Sequence, residues 1–344
     1  MPLEGLVAVT GGAGYVGSHV LVELLEEGYR VLVIDRLDNA KRETLGQVEK
    51  ITGKPIQAYN VDITDKEELR QIFIENEVSC VVHLAAMKIH SLSTRMPLSY
   101  YRNNVGGLIT LLEVMKEAEV YNLIYASSVA VYGNPKYLPF DEQHRAGVVS
   151  DPYSRTKYFC EEILKDVSSA EKVWCIVTLR LFNPVGAHCS GLIGEIMTEN
   201  PPNLIPNIAK TALGRRKEFI IYGNKYKTKD GTGERDYTHV VDIAKGHVAA
   251  IKKMKTGSGL KVYNLGSGKP CSALDMVKMF ENVSGKPIPY TFEEPRSYDT
   301  PTTRADVSLA RKELGWTASL EITRICTDAW RWYANNQTER VTNN

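Results

Sequence analysis

Leu6-Val7-Ala8-Val9-Thr10-Gly11-Gly12-Ala13-Gly14-Tyr15-Val16-Gly17-Ser18-His19 decides the fold of this chain. A short apolar run closing on threonine reads as a strand buried on both faces. Glycine then recurs at positions 11, 14 and 17, and the residues that follow carry an apolar face through Val20, Leu24 and Leu25, which predicts a helix. A glycine at the first of these places permits a tight turn, the second lets backbone approach a pyrophosphate, and the third lets helix and strand lie close. The helix N-terminus offers unpaired N–H groups and the positive end of a dipole to an anion.

The same unit repeats outward from this stretch. Tyr29–Asp35 is predicted as a second strand ending in a carboxylate, eighteen residues past Gly17, where an acid can accept hydrogen bonds from an adenosine ribose. Arg36 beside it would suit a ribose 2′-phosphate, but Asp35 would repel that group, so NAD is expected rather than NADP. Further strands are predicted over 56–63, 81–86, 123–128 and 173–182, with helices between them. Asp62, at the end of the third, is placed to meet the adenine, and Lys88, just past the fourth, to meet a ribose. His83 lies inside its strand run and reads as a packed residue. Ser128 closes the fifth strand on the rim where open parallel sheets bind ligands.

These units predict an α/β fold, a Rossmann-type doubly wound parallel sheet with a smaller mixed α/β substrate-binding domain. We divide the chain at 1–183 and 184–344, with segments of the second half returning to the first. The 344 residues are 43% hydrophobic and 24% charged, with a net charge of +1 and no basic tract, which disfavours electrostatic binding to nucleic acid. No run is long and apolar enough to suggest a membrane span, and the N-terminus lacks a basic segment before its apolar run. Six scattered cysteines without a CxxC spacing fit a reduced, cytoplasmic protein with no metal site.

The chemistry is expected from Asp151-Pro152-Tyr153-Ser154-Arg155-Thr156-Lys157. Pro152 suits a first helical turn, and Tyr153 and Lys157, four residues apart, then share a face. A phenol normally ionises near about 10, and bringing it to neutrality takes roughly 4 kcal/mol of cationic stabilisation. Lys157 and a positively charged cofactor are the expected sources. Ser128, Tyr153 and Lys157 converging on a nicotinamide would make a hydride-transfer site.

With these residues placed, the chain resembles the extended short-chain dehydrogenase/reductases, and within them the enzymes that epimerise UDP-hexoses at C4. The resemblance runs from about Val7 to Trp332 and includes Asn60-Val61-Asp62-Ile63, Tyr101-Arg102-Asn103-Asn104-Val105, Val131-Tyr132-Gly133, Leu181-Phe182-Asn183-Pro184-Val185-Gly186-Ala187-His188, Asp230-Gly231-Thr232-Gly233-Glu234-Arg235-Asp236-Tyr237 and Tyr263-Asn264-Leu265-Gly266. It implies tightly bound NAD, a 4-keto intermediate that turns within the site, Tyr153 as the base and Ser128 as a partner of the C4 oxygen. It adds Tyr15, Val16, Asn39, Ile63, Ala85 and Asn103 to Gly11, Gly14, Gly17, Asp35, Asp62, Lys88, Tyr153 and Lys157 at the cofactor. For the UDP-hexose it implies Lys88, Ser128, Tyr153, Asn183, Asn203, Tyr222 beside uracil, Arg235 and Arg296 at the diphosphate, Asp299 at a ribose hydroxyl, and Thr303. A homodimer through the Asn104 and Tyr153 helices is also implied.

The chain departs from the family pattern in places. Ala126 stands first in the usual triple serine, and Val129-Ala130 follow where Ala-Thr is usual. Ile89-His90-Ser91-Leu92-Ser93 replaces a small, glycine-containing and acidic stretch, and Pro202 replaces one of two asparagines. These changes bear on the sugar. Thr303 occupies a site where a bulky tyrosine narrows the hexose pocket in some relatives, so room for a 2-N-acetyl group is expected. The alternatives are a 4,6-dehydratase, which needs an acidic residue where Val129 stands, and a non-catalytic nucleotide sensor. Lys227, Lys229 and the turn 230–233 are read as a solvated loop.

Overall fold

A computed structural model describes residues 5–37, 42–254, 258–296 and 299–336. The first half alternates strand and helix: β1 (Leu6–Thr10), α1 (Tyr15–Glu26), β2 (Arg30–Asp35), α2 (Arg42–Thr52), β3 (Gln57–Asn60), α3 (Lys66–Glu75) and β4 (Val78–His83). Two short helices, α4 (His90–Arg95) and α5 (Pro97–Tyr100), lead through a π-helical turn at Tyr101–Gly106 into α6 (Gly107–Glu117). Then come β5 (Asn122–Ser128), a 3₁₀ turn at Val129–Tyr132, α7 (Pro152–Ala170) and β6 (Cys175–Leu181). The second half contains β7 (Pro184–Val185), α8 (Leu204–Ala212), β8 (Phe219–Tyr222), β9 (Glu234–Arg235), β10 (Thr238–His239) and α9 (Val240–Met254). It continues with β11 (Gly259–Leu265), β12 (Cys271–Ser272), α10 (Ala273–Ser284), β13 (Tyr290–Glu293), α11 (Ser308–Leu314) and α12 (Ile322–Asn335).

Seven strands form one parallel sheet in the order β3-β2-β1-β4-β5-β6-β11, the doubly wound α/β arrangement that the sequence predicts. Strand order reverses beside β1, so β1 and β4 diverge into crossovers on opposite faces and leave a crevice beyond their carboxyl ends. Val20, Leu24, Leu25, Val48, Ile243, Val248, Ile251 and Trp316 cover one face of the sheet from α1, α2, α9 and the segment after α11. Leu69, Ile72, Leu108, Leu111, Met115, Cys160 and Leu164 cover the other from α3, α6 and α7. Late in sequence, α9 and β11 thus complete the sheet begun at β1. A separate core of Ile205, Ile208, Phe219, Ile221, Met276, Val277, Phe280, Ile325 and Trp332 joins α8, β8, α10 and α12.

Three local readings change, each for a visible reason. The third strand stops at Asn60, because the Asp62 carboxylate accepts the Thr64 N–H and O–H at 2.9 and 2.7 Å and turns the chain. The fourth runs over Val78–His83; Leu84–Ala86 leave the sheet, and Ala85 N–H donates to the Thr10 hydroxyl at 3.3 Å. The turn 230–233 is not merely solvated. Thr232 is fully buried, and Asp230 accepts hydrogen bonds from Thr232 Oγ1 (2.7 Å) and Ser272 Oγ (2.5 Å), which joins the turn to the start of α10.

The glycine turn is dictated by space. Gly11 has φ +73°, and a Cβ there would stand 2.7 Å from Ala85 N; a Cβ on Gly17 would stand 2.1 Å from Gly11 O. Both obstacles are backbone, so neither can swing aside. We therefore expect Gly17→Ala to lower stability by about 1–3 kcal/mol, read as a fall in thermal midpoint, with no fall or a small rise for Gly46→Ala, which lies inside α2 and where a Cβ meets nothing within 4 Å.

Candidate active site

The carboxyl ends of the strands open into a cleft of about 1430 Å³ whose other wall is the second half of the chain. Gly11, Gly14, Tyr15, Val16, Gly17, Asp35, Asp62, Ile63, Ala85, Lys88 and Asn103 line it from the first half. Ser128, Tyr153 and Lys157 line its centre, and Asn183, Asn203, Tyr222, Arg235, Arg296, Asp299 and Thr303 its far side. Asn39 lies outside the described residues.

At the dinucleotide end, Gly14 precedes α1 with no side chain capping the helix, and the first turn carries no acid. Backbone donors there point at the cleft, as an anion requires. Asp35 Oδ2 accepts the Ala13 N–H at 3.0 Å, which fixes the carboxylate over the turn. Arg36 pairs with Asp62 at 3.2 Å, so the arginine that raised the NADP question is engaged by a neighbouring acid. A glycine cradle closed to any Cβ, an uncapped helix start and a strand-end carboxylate fit a dinucleotide.

At the reacting end, Tyr153 is buried, and the Asp151 carboxylate caps α7 by accepting Ser154 N–H (3.0 Å) and Ser154 O–H (2.6 Å). Ser128 caps the 3₁₀ turn, accepting Ala130 N–H at 3.2 Å, and lines the cleft together with Tyr153. Lys157 Nζ donates to Ala126 O at 2.6 Å and lies 4.9 Å from the Tyr125 ring centroid. Burial pushes the Tyr153 phenol up to about 12, with Asp151 and Tyr100 adding to the rise and Ser128 opposing it. Burial also lowers the Lys157 amine to about 8. Desolvation sets the phenol above its ordinary value, so the cationic stabilisation expected from Lys157 and a positively charged cofactor has more to offset than spacing alone indicates.

The loop beneath the phenol is held by two side chains. Asn104, buried in the π-helical turn, accepts Met87 N–H (2.8 Å) and donates to Met87 O (3.0 Å) and Thr156 Oγ1 (3.0 Å). Tyr100 O–H donates to Ile89 O at 2.7 Å and accepts Ile89 N–H at 3.1 Å. Lys88 is thereby fixed between two clamped peptides. Its Nζ reaches Glu195 Oε1 at 3.4 Å, and Asn203 Nδ2 donates to the same oxygen at 2.5 Å, which joins the two walls of the cleft.

On the far side, Arg235 donates to Thr300 O (2.7 Å) and stands 3.4 Å from Asp299, while the Arg296 guanidinium stacks 4.0 Å from the Tyr222 ring centroid. Asn183, at φ +23°, is held in that unusual conformation as Thr238 N–H donates to its carbonyl. Glu195, His90, Tyr100 and Asn104 are cleft or supporting residues that sequence reasoning did not single out as site residues. Glu195 stands in a stretch without periodicity, and only the polar identity of Asn104 within an apolar helix seam hinted at a bonded role.

Comparison with known proteins agrees with this geometry. The family model described as "NAD dependent epimerase/dehydratase family" matches residues 7–266. The UDP-glucose 4-epimerase of Drosophila melanogaster is 49% identical over 338 residues, 96% of this chain and 97% of that protein. The Bacillus subtilis UDP-glucose 4-epimerase is 45% identical over 330 residues, 96% of this chain and 97% of that protein. Among solved structures, the Bifidobacterium longum UDP-glucose 4-epimerase in complex with NAD+ and UDP superposes with a TM-score of 0.93 at 45% identity, covering 96% of this chain and 99% of that one. A match that spans the glycine turn, the Tyr153 helix and the returning strand β11 makes this chain a member of the NAD dependent epimerase/dehydratase family.

Proposed function

We propose that the chain is a UDP-hexose 4-epimerase that interconverts UDP-glucose and UDP-galactose. The observation that carries this reading is one cleft in which Ser128, Tyr153 and Lys157 face a dinucleotide cradle on one side and Arg235, Arg296 and Asp299 on the other. NAD, held by the Gly11–Gly17 turn and Asp35, supplies reversible oxidation of the sugar C4 carbinol to a ketone. Tyr153 takes the proton of the 4-hydroxyl and later returns it, and Ser128, beside it in the cleft, holds the C4 oxygen. Asp62, Ile63, Ala85 and Asn103 complete the cofactor wall, with Lys88 reaching a ribose. Arg235 and Arg296 hold the diphosphate, Tyr222 flanks uracil and Asp299 takes a ribose hydroxyl, with Asn183 and Asn203 nearby. Binding energy is spent on the nucleotide, which leaves the hexose free to turn.

Val129 follows Ser128 where a 4,6-dehydratase needs an acid, and this disfavours the dehydratase reading. Incubation of the purified protein with UDP-galactose should yield UDP-glucose with no net consumption of added NAD; accumulation of a keto sugar would replace this reading with the dehydratase.

We assign N-acetylated UDP-hexoses as further substrates. Thr303 is buried in the cleft wall, its hydroxyl without a hydrogen-bond partner, and a small polar residue there leaves space and a donor for a 2-N-acetyl group. Thr303→Tyr is expected to cut turnover of UDP-N-acetylglucosamine by at least tenfold while UDP-galactose turnover changes far less, as product analysis by chromatography would show. Equal losses on both sugars would reject the assignment.

We also infer a homodimer packed through α6 and α7, which expose Ile109 and Phe159, with Tyr101 stacked on Phe159 at 6.1 Å. Sedimentation of the wild type and Phe159→Glu tests it. No helix among the described residues is long and apolar enough to cross a membrane. The free cysteines, four of them buried, support a reducing, cytoplasmic location.

A further inference from the structure

His90 lies in the segment where this chain departs from the family pattern, and it opens α4 at the cleft wall. Its ring meets the Tyr153 ring edge-to-face, centroids 4.7 Å apart at 71°, and its Nδ1 lies 3.2 Å from Asp151 Oδ1. Tyr100 clamps the preceding peptide at both ends, so the imidazole is delivered to this spot by backbone that is itself fixed. Asp151 faces the other way into the start of α7, with both oxygens engaged by Ser154. One imidazole therefore touches both the phenol and the carboxylate that lies two residues before it.

We propose that His90 is a positioning residue for Tyr153: held by Asp151, it packs against the phenol ring and screens that ring from the carboxylate charge. The proposal rests on Tyr153 acting as the base. An unscreened carboxylate beside a phenol opposes its ionisation, because the phenolate would be a second negative charge in a buried site. His90 Nδ1, 3.2 Å from Asp151 Oδ1, turns the polar edge of the imidazole to that charge, and the ring contact limits the phenol to one orientation. The other groups acting on Tyr153 are Tyr100 from α5, Tyr125 from β5 and Ser128 at the end of β5, while Lys157, one turn along its own helix, lies 4.9 Å from the Tyr125 ring centroid. His90 is set apart from these by contacting both members of the opposed pair. A valine in its place would fill the volume without the polar edge.

The test is the pH dependence of kcat/KM for UDP-galactose with the holoenzyme. Ionisation of Tyr153 sets the acid limb. His90→Val is expected to move that limb up by about one pH unit, a roughly tenfold loss below the limb. Asp151→Asn, which keeps a helix-capping side chain but removes the charge, is expected to move it down. A limb that stays put in His90→Val while the rate falls equally at every pH would reduce His90 to packing and overturn the proposal. A limb that fails to fall in Asp151→Asn would overturn it independently, even where His90→Val does not fold. Tyr153→Phe separates the two layers: if that variant remains active the parent reading fails, whereas an inactive Tyr153→Phe with unmoved limbs removes only the role of His90.

Discussion

Tyr153→Phe is expected to slow epimerisation by about 10²–10⁴-fold, the contribution that a positioned acid–base group typically makes. The change removes one oxygen. The ring that packs against His90 and the cap supplied by Asp151 remain. The arginine side of the cleft is untouched, so affinity for UDP should change little and the loss should fall on kcat. Progress curves for UDP-galactose, paired with calorimetric titration of UDP, distinguish this from a variant that has lost its pocket. A variant that keeps more than about a tenth of the wild-type rate would place the base elsewhere.

The size of that effect follows from how unfavourable the site is to the phenolate without its partners. From about 12, reaching neutrality requires ~7 kcal/mol, more than an unburied phenol would need. Lys157 at about 8 is itself pushed toward its neutral form by burial. The two desolvation costs are offset together when phenolate and ammonium ionise as a pair near a cationic nicotinamide, since each then stabilises the other. Exchanging Lys157 for an apolar residue would remove one member of this set and leave the tyrosine as buried as before.

The contrast between Gly17 and Glu195 shows which features the sequence carries. Gly17, Asp35 and Pro152 are local rules: each is required by the geometry of a turn, a strand end or a first helical turn, and each is legible from its immediate neighbours. The parallel sheet followed from repetition of that local unit. Glu195 is different. Its meaning comes from Lys88 and Asn203, one of them more than a hundred residues away, and no periodicity marks it. The rise of the Tyr153 phenol is non-local for the same reason, because helix spacing reports who shares a face, whereas burial is a property of the assembled cleft. Asp-Gly-Thr-Gly has loop composition and so reads as a solvated turn, yet Thr232 Oγ1 accepts the Leu274 N–H and Asp230 accepts the Ser272 hydroxyl, both far along the chain at the start of α10.

Arg180 carries this non-local logic to its largest expected effect on stability. It extends from β6, between β5 and the edge strand β11, and is buried, with Nη2 2.6 Å from Glu161 Oε2 and Nε 3.1 Å from Oε1. Ser127 Oγ donates to that same Oε1 at 2.5 Å, and the guanidinium lies 4.6 Å from the Tyr132 ring centroid. Glu161 stands one turn after Lys157 on α7, and Ser127 directly precedes Ser128 on β5. The ion pair fixes Glu161, and through it the Ser127 hydrogen bond joins the two elements that present the reacting groups. Arg180→Ala would leave the Glu161 carboxylate buried without its cation, and such a loss costs about 3–5 kcal/mol. A drop of several degrees in thermal midpoint is expected, together with slower turnover because the strand end and the helix lose their common anchor. The double change Arg180→Met with Glu161→Gln removes both charges and should regain most of the stability, since a well-packed neutral replacement of a buried pair is often close to neutral. If the double variant recovers the midpoint but not kcat, the pair sets the register of Ser128 against Lys157; if it recovers both, the pair serves the fold alone.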